Sequence, residues 1–86
     1  MHEEQIRELI LDRLRQIAPE ADIENLNPDL RYRDQFGFDS VDFLNFALSL
    51  QEQLKIAIPE EDFPALATLN GCMNYLISKM QTFSKS

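Results

Sequence analysis

Phe36 Gly37 Phe38 Asp39 Ser40, running straight into Val41 Asp42 Phe43 Leu44 Asn45 Phe46 Ala47 Leu48 Ser49 Leu50 Gln51 Glu52 Gln53 Leu54, is the stretch that decides the fold. An Asp or Ser just ahead of a helical apolar pattern marks a helix start, because its side-chain oxygen can accept a backbone N–H that the first turn leaves unpaired. Gly37 permits a tight approach to that start. At about 100° per residue, Phe46, Leu50, Phe43, Leu54, Ala47, Leu44, Leu48 and Val41 sweep an arc of about 200°. Asp42, Asn45, Ser49, Glu52 and Gln53 fall on the narrow polar side. The arc is wider than one core face needs. Its surplus flank, Val41, Leu44 and Leu48, therefore either faces a partner or packs under the connection that precedes the helix.

Working outward, Ile6, Leu9, Ile10, Leu14 and Ile17 recur at three- and four-residue spacing and predict an amphipathic helix over 3–17. Glu3 and Arg7 are spaced to pair on it, and Pro19 ends it. Residues 21–38 form a long connection with scattered apolar anchors, Ile23, Leu26, Leu30, Tyr32 and Phe36. Connections of this length are ordered by such anchors or are functional. Asn27 Pro28 Asp29 reads as a turn. Arg31 and Arg33 are the closely spaced basic pair of the connection, and they read as a solvated surface in preference to a dedicated anion site. Beyond Leu54, Lys55 to Pro59 is a short extended linker. Glu60 to Leu66 suggests a short helical turn with its acidic residues at the favourable N-terminal end. Thr68 caps a last helix whose apolar positions are Leu69, Cys72, Met73, Leu76, Ile77 and Met80. Gly71 weakens that helix by up to about 1 kcal/mol relative to Ala, which points to a close crossing.

Eighty-six residues are expected to form one domain over 1–86, with 83–86 as a frayed tail. Hydrophobic content of 44% beside 27% charged residues is that of a globular protein. No apolar run approaches membrane-spanning length. Met1 His2 Glu3 Glu4 lacks the basic flank and apolar segment of a secretory signal, so the expected location is the cytoplasm. A net charge of −7 argues against nucleic acid and anionic membranes as partners and for basic proteins. The single cysteine, Cys72, has no companion for a disulfide or a metal cluster and reads as a small buried hydrophobe.

Ser40 as a hydrolytic nucleophile needs a base, and the one histidine is His2 at the terminus. The acidic pairs lie on polar surfaces. Glu60 Glu61 Asp62 has neither the length nor the glycine of a calcium loop, and there is no nucleotide-cradling glycine loop. What Ser40 does suit is a covalent phosphodiester, since a phosphate there faces unpaired N–H groups and the positive end of the helix dipole.

Gly37 Phe38 Asp39 Ser40 Val41, then Leu54 Lys55 Ile56 Ala57 Ile58 Pro59 Glu60 Glu61 Asp62, then Thr68 Leu69 through Tyr75 Leu76 resembles an acyl carrier protein. The similarity covers nearly the whole chain and is strongest from Asn27 to Leu76. The resemblance implies an all-α fold, a small four-helix bundle of three longer helices and one short helix, with a long connection between the first two. It implies that Ser40 carries 4′-phosphopantetheine, transferred from coenzyme A by a phosphopantetheinyl transferase, with the acyl group held as a thioester on the terminal sulfur of the arm. Cys72 is not that thiol. The resemblance also implies a monomeric carrier that is not itself an enzyme. Its second helix would meet basic patches on acyl-loading and acyl-transferring enzymes through Asp39, Val41, Asp42, Leu44, Asn45, Leu48 and Glu52.

Several residues depart from the pattern. Asn45 and Gln51 stand where housekeeping fatty-acid carriers usually place Glu, Leu54 replaces a frequent Phe, and Arg31 and Arg33 add positive charge. Phe43 and Phe46 are bulkier than common occupants and could reshape an acyl cavity. The expected role is a specialised stand-alone carrier for fatty-acid, polyketide or other lipid synthesis. An aminoacyl or D-alanyl carrier and an unmodified acidic adaptor are the alternatives.

Overall fold

The apolar column Ile6, Ile10 and Leu14, one helical turn apart, is buried together with Leu11 on the first helix, α1, Glu3–Ile17. Leu11 widens the stripe beyond the spacing read from sequence, whereas Leu9 and Ile17 are half-buried at its edges. In the computed structural model, which describes residues 2–84, α1 packs against both long helices that come after it. Glu3 and Glu4 in its first turn and Arg15 in its last suit the helix dipole. The expected Glu3–Arg7 pair is not among the ion pairs of the described residues; Arg15 reaches out instead to Glu24 at 2.6 Å.

The connection after α1 is ordered throughout by short elements and side-chain ties. A 3-10 turn, Ile23–Asn25, buries Ile23 against the core. The expected turn forms, with the Asp29 N–H donating to Asn27 Oδ1 at 2.9 Å and the Leu30 N–H to Asn27 O at 3.2 Å. Gln35 stitches this turn from its C-terminal side, its Nε2 donating to the carbonyls of Asn27 and Leu30, both at 2.8 Å. A short helix absent from the sequence reading, α2, Tyr32–Phe36, then delivers the chain to Gly37. Of the expected anchors, Ile23 and Tyr32 are buried, Leu26 and Phe36 are half-buried, and Leu30 is exposed.

The central helix, α3, spans Ser40–Leu54 and buries Phe46, Ala47, Leu50 and Leu54. Lys55 stops it in the left-handed conformation, φ 56°, donating its N–H to Gln51 O. Gln51 also accepts the Ile58 N–H on its side-chain Oε1 at 3.2 Å, which fastens the returning linker and draws Ile58 into the core. A 3-10 helix, Glu60–Leu66, carries three acidic residues in its first turn. The last helix, α4, Leu69–Ser84, starts as expected from Thr68, whose Oγ1 accepts the Gly71 N–H at 3.0 Å. It buries Leu69, Cys72 and Leu76, and it continues through Ser84, into the stretch expected to fray; residues 85–86 lie outside the described residues.

The architecture is thus the expected all-α arrangement, three long helices and a short one, with α2 and the 23–25 turn added inside the connection. Two backbone ties from the connection to the start of α4 fix the position of α2, Tyr32 N–H to Ala67 O and Asn70 N–H to Pro28 O, each 3.0 Å, and the Asn70 Nδ2 donates to Asp29 Oδ1 beside them. Gly71 allows this end of the molecule to close, since a Cβ there would lie 2.6 Å from Ala65 O. The close approach inferred from Gly71 is real, and its partner is the end of the 60–66 segment.

Candidate functional site

Gly37 ends α2 at φ 73°, a conformation that favours glycine, and so reverses the chain. Phe38 then turns inward and is held by Tyr32 and Phe36, with ring centroids 5.8 and 5.9 Å away. Tyr32 continues the aromatic contact to Phe46 of α3 at 5.3 Å, edge to face. Each such pair adds about 0.5–1.5 kcal/mol beyond simple burial. The turn that carries Asp39 and Ser40 therefore rests on a rigid aromatic footing.

Asp39 takes the cap position. Its Oδ1 accepts the Asp42 N–H at 2.8 Å, and Asp42 Oδ2 reaches back to the Asp39 N–H at 3.4 Å. The sequence left the cap open between Asp39 and Ser40, and the structure gives it to Asp39. Ser40 becomes the first helical residue, exposed, with its hydroxyl free of any partner among the described residues. It stands at the positive end of a fifteen-residue helix.

Beside Ser40 opens a cleft of about 610 Å³, lined by Arg31, Tyr32, Arg33, Phe38, Asp39, Ser40, Phe43, Pro64 and Ala67. Its floor is aromatic and aliphatic. Phe43 leans on Phe63 at 6.2 Å, edge to face, so the bulky ring narrows the cleft on the α3 side without closing it. Phe46, the other bulky ring, is buried in the core and takes no part in the lining. Arg31 pairs with Asp34 at 2.9 Å, while the Arg33 guanidinium has no acidic partner among the described residues. Both arginines stand on the wall of the cleft that holds Ser40, a placement the reading of a solvated pair did not anticipate. The signal for it lay in the Tyr32 to Phe36 spacing, which makes a helical turn and carries Arg31 and Arg33 round to the serine.

The donor set fits an anionic group attached at Ser40: an exposed hydroxyl, a helix N-terminus and two guanidinium groups at one cleft. No imidazole lines it. His2 is at the other end of the sequence, its N–H donating to Gln5 at the start of α1. Behind the cleft, Cys72 is buried and its thiol is pushed up to about 12, because burial disfavours the thiolate. The neighbouring Tyr32 hydroxyl is raised further, again by burial first and then by Cys72, and it has no hydrogen-bond partner of good geometry. Neither group is a reactive nucleophile. Among the described residues no cluster of His, Cys, Asp or Glu is placed to hold a metal ion, and no helix is long and apolar enough to cross a membrane.

The surplus flank of α3 faces outward. Val41 is 61% exposed, Leu44 41% and Leu48 48%, so the alternative that the flank packs under the preceding connection does not hold. Asn45 and Glu52 are exposed beside them and Asp42 is half-buried. Gln51 does not belong to this face, since it is half-buried and tied to Ile58.

Among solved structures, the acyl carrier protein from Enterococcus faecalis superimposes with a TM-score of 0.73 at 21% sequence identity, over 91% of this chain and 98% of that one. At that identity the likeness establishes the fold. The sequence profile of the phosphopantetheine attachment site matches residues 4–76, a span that holds α1, the connection, the capped Ser40 turn and the first half of α4. The chain therefore belongs to the phosphopantetheine-attachment family of carrier proteins.

Proposed function

We propose that Ser40 is the attachment point of the 4′-phosphopantetheine arm and that the protein carries acyl groups on it for partner enzymes of fatty-acid, polyketide or specialised lipid synthesis. The observation that carries this reading is the division between Asp39 and Ser40. Asp39 satisfies the helix start, which leaves the Ser40 hydroxyl exposed and chemically available at the N-terminus of α3. When bound, the arm supplies a terminal thiol that holds an acyl group as a thioester. The chain's own residues do the rest. The α3 N-terminus and the two arginines favour the phosphate, and the Phe38 turn fixes the direction in which the serine points.

Val41, Leu44 and Leu48 form the apolar part of the docking face for the phosphopantetheinyl transferase and for acyl-loading and acyl-transferring enzymes. Asp39, Asp42, Asn45 and Glu52 surround it with polar and acidic groups that suit basic patches on those partners.

Incubation with coenzyme A and a broad-specificity transferase, followed by mass spectrometry, tests the reading. The wild-type protein gains one phosphopantetheine and Ser40→Ala gains none. No gain, or an equal gain in the variant, sinks it. Partner binding that persists in Ser40→Ala without an arm would instead favour an acidic adaptor using the same exposed face.

A further inference from the structure

We infer that Arg31 and Arg33 form a cationic wall that holds the phosphodiester of the Ser40-linked arm and turns the arm into the cleft between α2 and the 60–66 helix. This rests on the reading that Ser40 carries the arm, and it adds a binding role for two residues outside the attachment motif. Three observations support it. First, both arginines line the same cleft as Ser40, so a phosphate esterified to the serine hydroxyl enters the space they border. Second, the chain carries 8 Lys and Arg against 15 Asp and Glu, yet the Arg33 guanidinium has no acidic partner among the described residues, although Asp34 and Asp39 are near in sequence. Arg31 directs its Nε to Asp34, which fixes the side chain and leaves its terminal nitrogens for another anion. Third, apart from Tyr32 and the Asp39 carboxylate, whose Oδ1 is engaged by the Asp42 N–H, the remaining lining is apolar, with Phe38, Phe43, Pro64 and Ala67 offering a surface for a flexible chain beyond the phosphate. A volume of about 610 Å³ is in the range of small-molecule sites.

Guanidinium groups suit this task because their planar donors can grip a phosphate in a bidentate manner, which a lysine ammonium cannot. The arm is then held against the protein at rest and is released when a partner or salt competes for the two arginines. Exposure keeps the interaction modest and salt-dependent.

The test uses wild-type protein, Arg33→Gln and the double variant Arg31→Gln/Arg33→Gln, each loaded with the arm and labelled on its terminal thiol with a maleimide nitroxide. Cys72 is buried and does not compete for the label. Paramagnetic broadening of backbone amides reports where the arm spends its time. At low ionic strength the amides of Phe38, Phe43 and Ala67 are broadened more strongly than those of Leu44 and Leu48 on the outer face. The double variant lowers this cleft broadening about 2- to 5-fold, as expected for exposed charge pairs. About 1 M salt does the same, and Arg33→Lys restores part of the effect. Broadening spread evenly around Ser40, or concentrated in the cleft but unchanged by the substitutions and by salt, overturns the inference and leaves the carrier reading standing. Failure of the arm to add to wild-type Ser40 overturns both.

Discussion

Asp39 Oδ1 accepts the backbone N–H of Asp42 at 2.8 Å, and this one bond separates the structural duty of the α3 start from its chemistry. Were Ser40 the cap, its hydroxyl would be engaged with the backbone. With Asp39 as the cap, Ser40 is held one residue inside the helix with its hydroxyl outward. Asp39→Ala should therefore lower stability by about 1 kcal/mol, the usual cost of losing a cap, which for a domain of this size is a shift of about 4–8 °C in melting temperature. Asp39→Asn, which can still accept the Asp42 N–H, should lose much less. Urea denaturation with an unchanged slope and a lower midpoint is the expected record for Asp39→Ala. Equal losses in both variants would show that charge at this position, rather than capping, is what matters.

Gly37 offers a cleaner test of backbone strain. At φ 73° an added Cβ meets nothing within 4 Å, so the cost of Gly37→Ala is conformational alone. That cost is about 1–2 kcal/mol for a residue forced into the left-handed region. Gly37→Asn should cost less, because Asn tolerates that region. Denaturation midpoints in the order wild type, Asn, Ala are the expected result, and an Ala variant as stable as wild type would mean that the turn relaxes.

Three long helices are legible in the sequence because their apolar residues repeat at helical spacing over fifteen or sixteen residues. The cap at Thr68 and the turn at Asn27 are legible because side-chain chemistry marks them locally. The resemblance supplies the family and the serine. The placement of Arg31 and Arg33 on the cleft beside Ser40 is not legible. It depends on α2, five residues long, too short for periodicity to announce and held by two hydrogen bonds that tie Pro28 and Tyr32 to Asn70 and Ala67, far along the chain. The role of Gln51 is not legible for a similar reason. Gln51 is a polar residue on α3, but its side chain turns to Ile58, a contact set by the path of a linker that carries no pattern of its own. Leu30 shows the converse, an apolar residue in the connection that the fold leaves exposed.

At Gly71 two effects oppose one another. Alanine is the better helix former by about 1 kcal/mol, yet its Cβ would stand 2.6 Å from the Ala65 carbonyl and 2.9 Å from Thr68 Oγ1. The first contact is with backbone, which cannot rotate aside, so overpacking of about 1–3 kcal/mol should prevail. Gly71→Ala is expected to lower the melting temperature. A rise would show that the 60–66 segment yields without cost, and amide hydrogen exchange at Ala67 would then be faster than in wild type.

Alkaline pH should unfold the protein through its interior. Burial raises the Cys72 thiol from 9.0 to about 12. Tyr75 rises from 10.0 to about 12 by burial and by its hydrogen bond to Asp62. Each group keeps its proton in the folded state at pH values where the unfolded chain has released it, so the stabilisation is fully present below the unfolded value and is lost as pH rises through the folded one. The thiol contribution thus falls from pH 9.0 towards about 12. Melting temperatures across that interval should decline less steeply in Cys72→Ala than in wild type, whatever the variant's starting stability. Parallel slopes would remove Cys72 as a source of the alkaline loss.

Leu44 and Leu48 lie on the same helix as Phe46 and Leu50, and only the direction each faces separates a docking role from a core role. Phe46 is wholly buried, and Phe46→Ala should cost about 3–5 kcal/mol of stability. Leu44 and Leu48 are 41% and 48% exposed, so replacing either with Ala should change stability by no more than about 0.5 kcal/mol. If the flank is where the transferase docks, each replacement removes apolar contact worth about 1.4 kcal/mol, or about tenfold in affinity. The loading reaction from coenzyme A should then show a raised KM for the protein with kcat nearly unchanged, the pattern of lost uniform binding. A lowered kcat at constant KM would place these residues in the positioning of Ser40 instead. Unchanged kinetics in the double variant Leu44→Ala/Leu48→Ala would move the docking face away from the flank altogether.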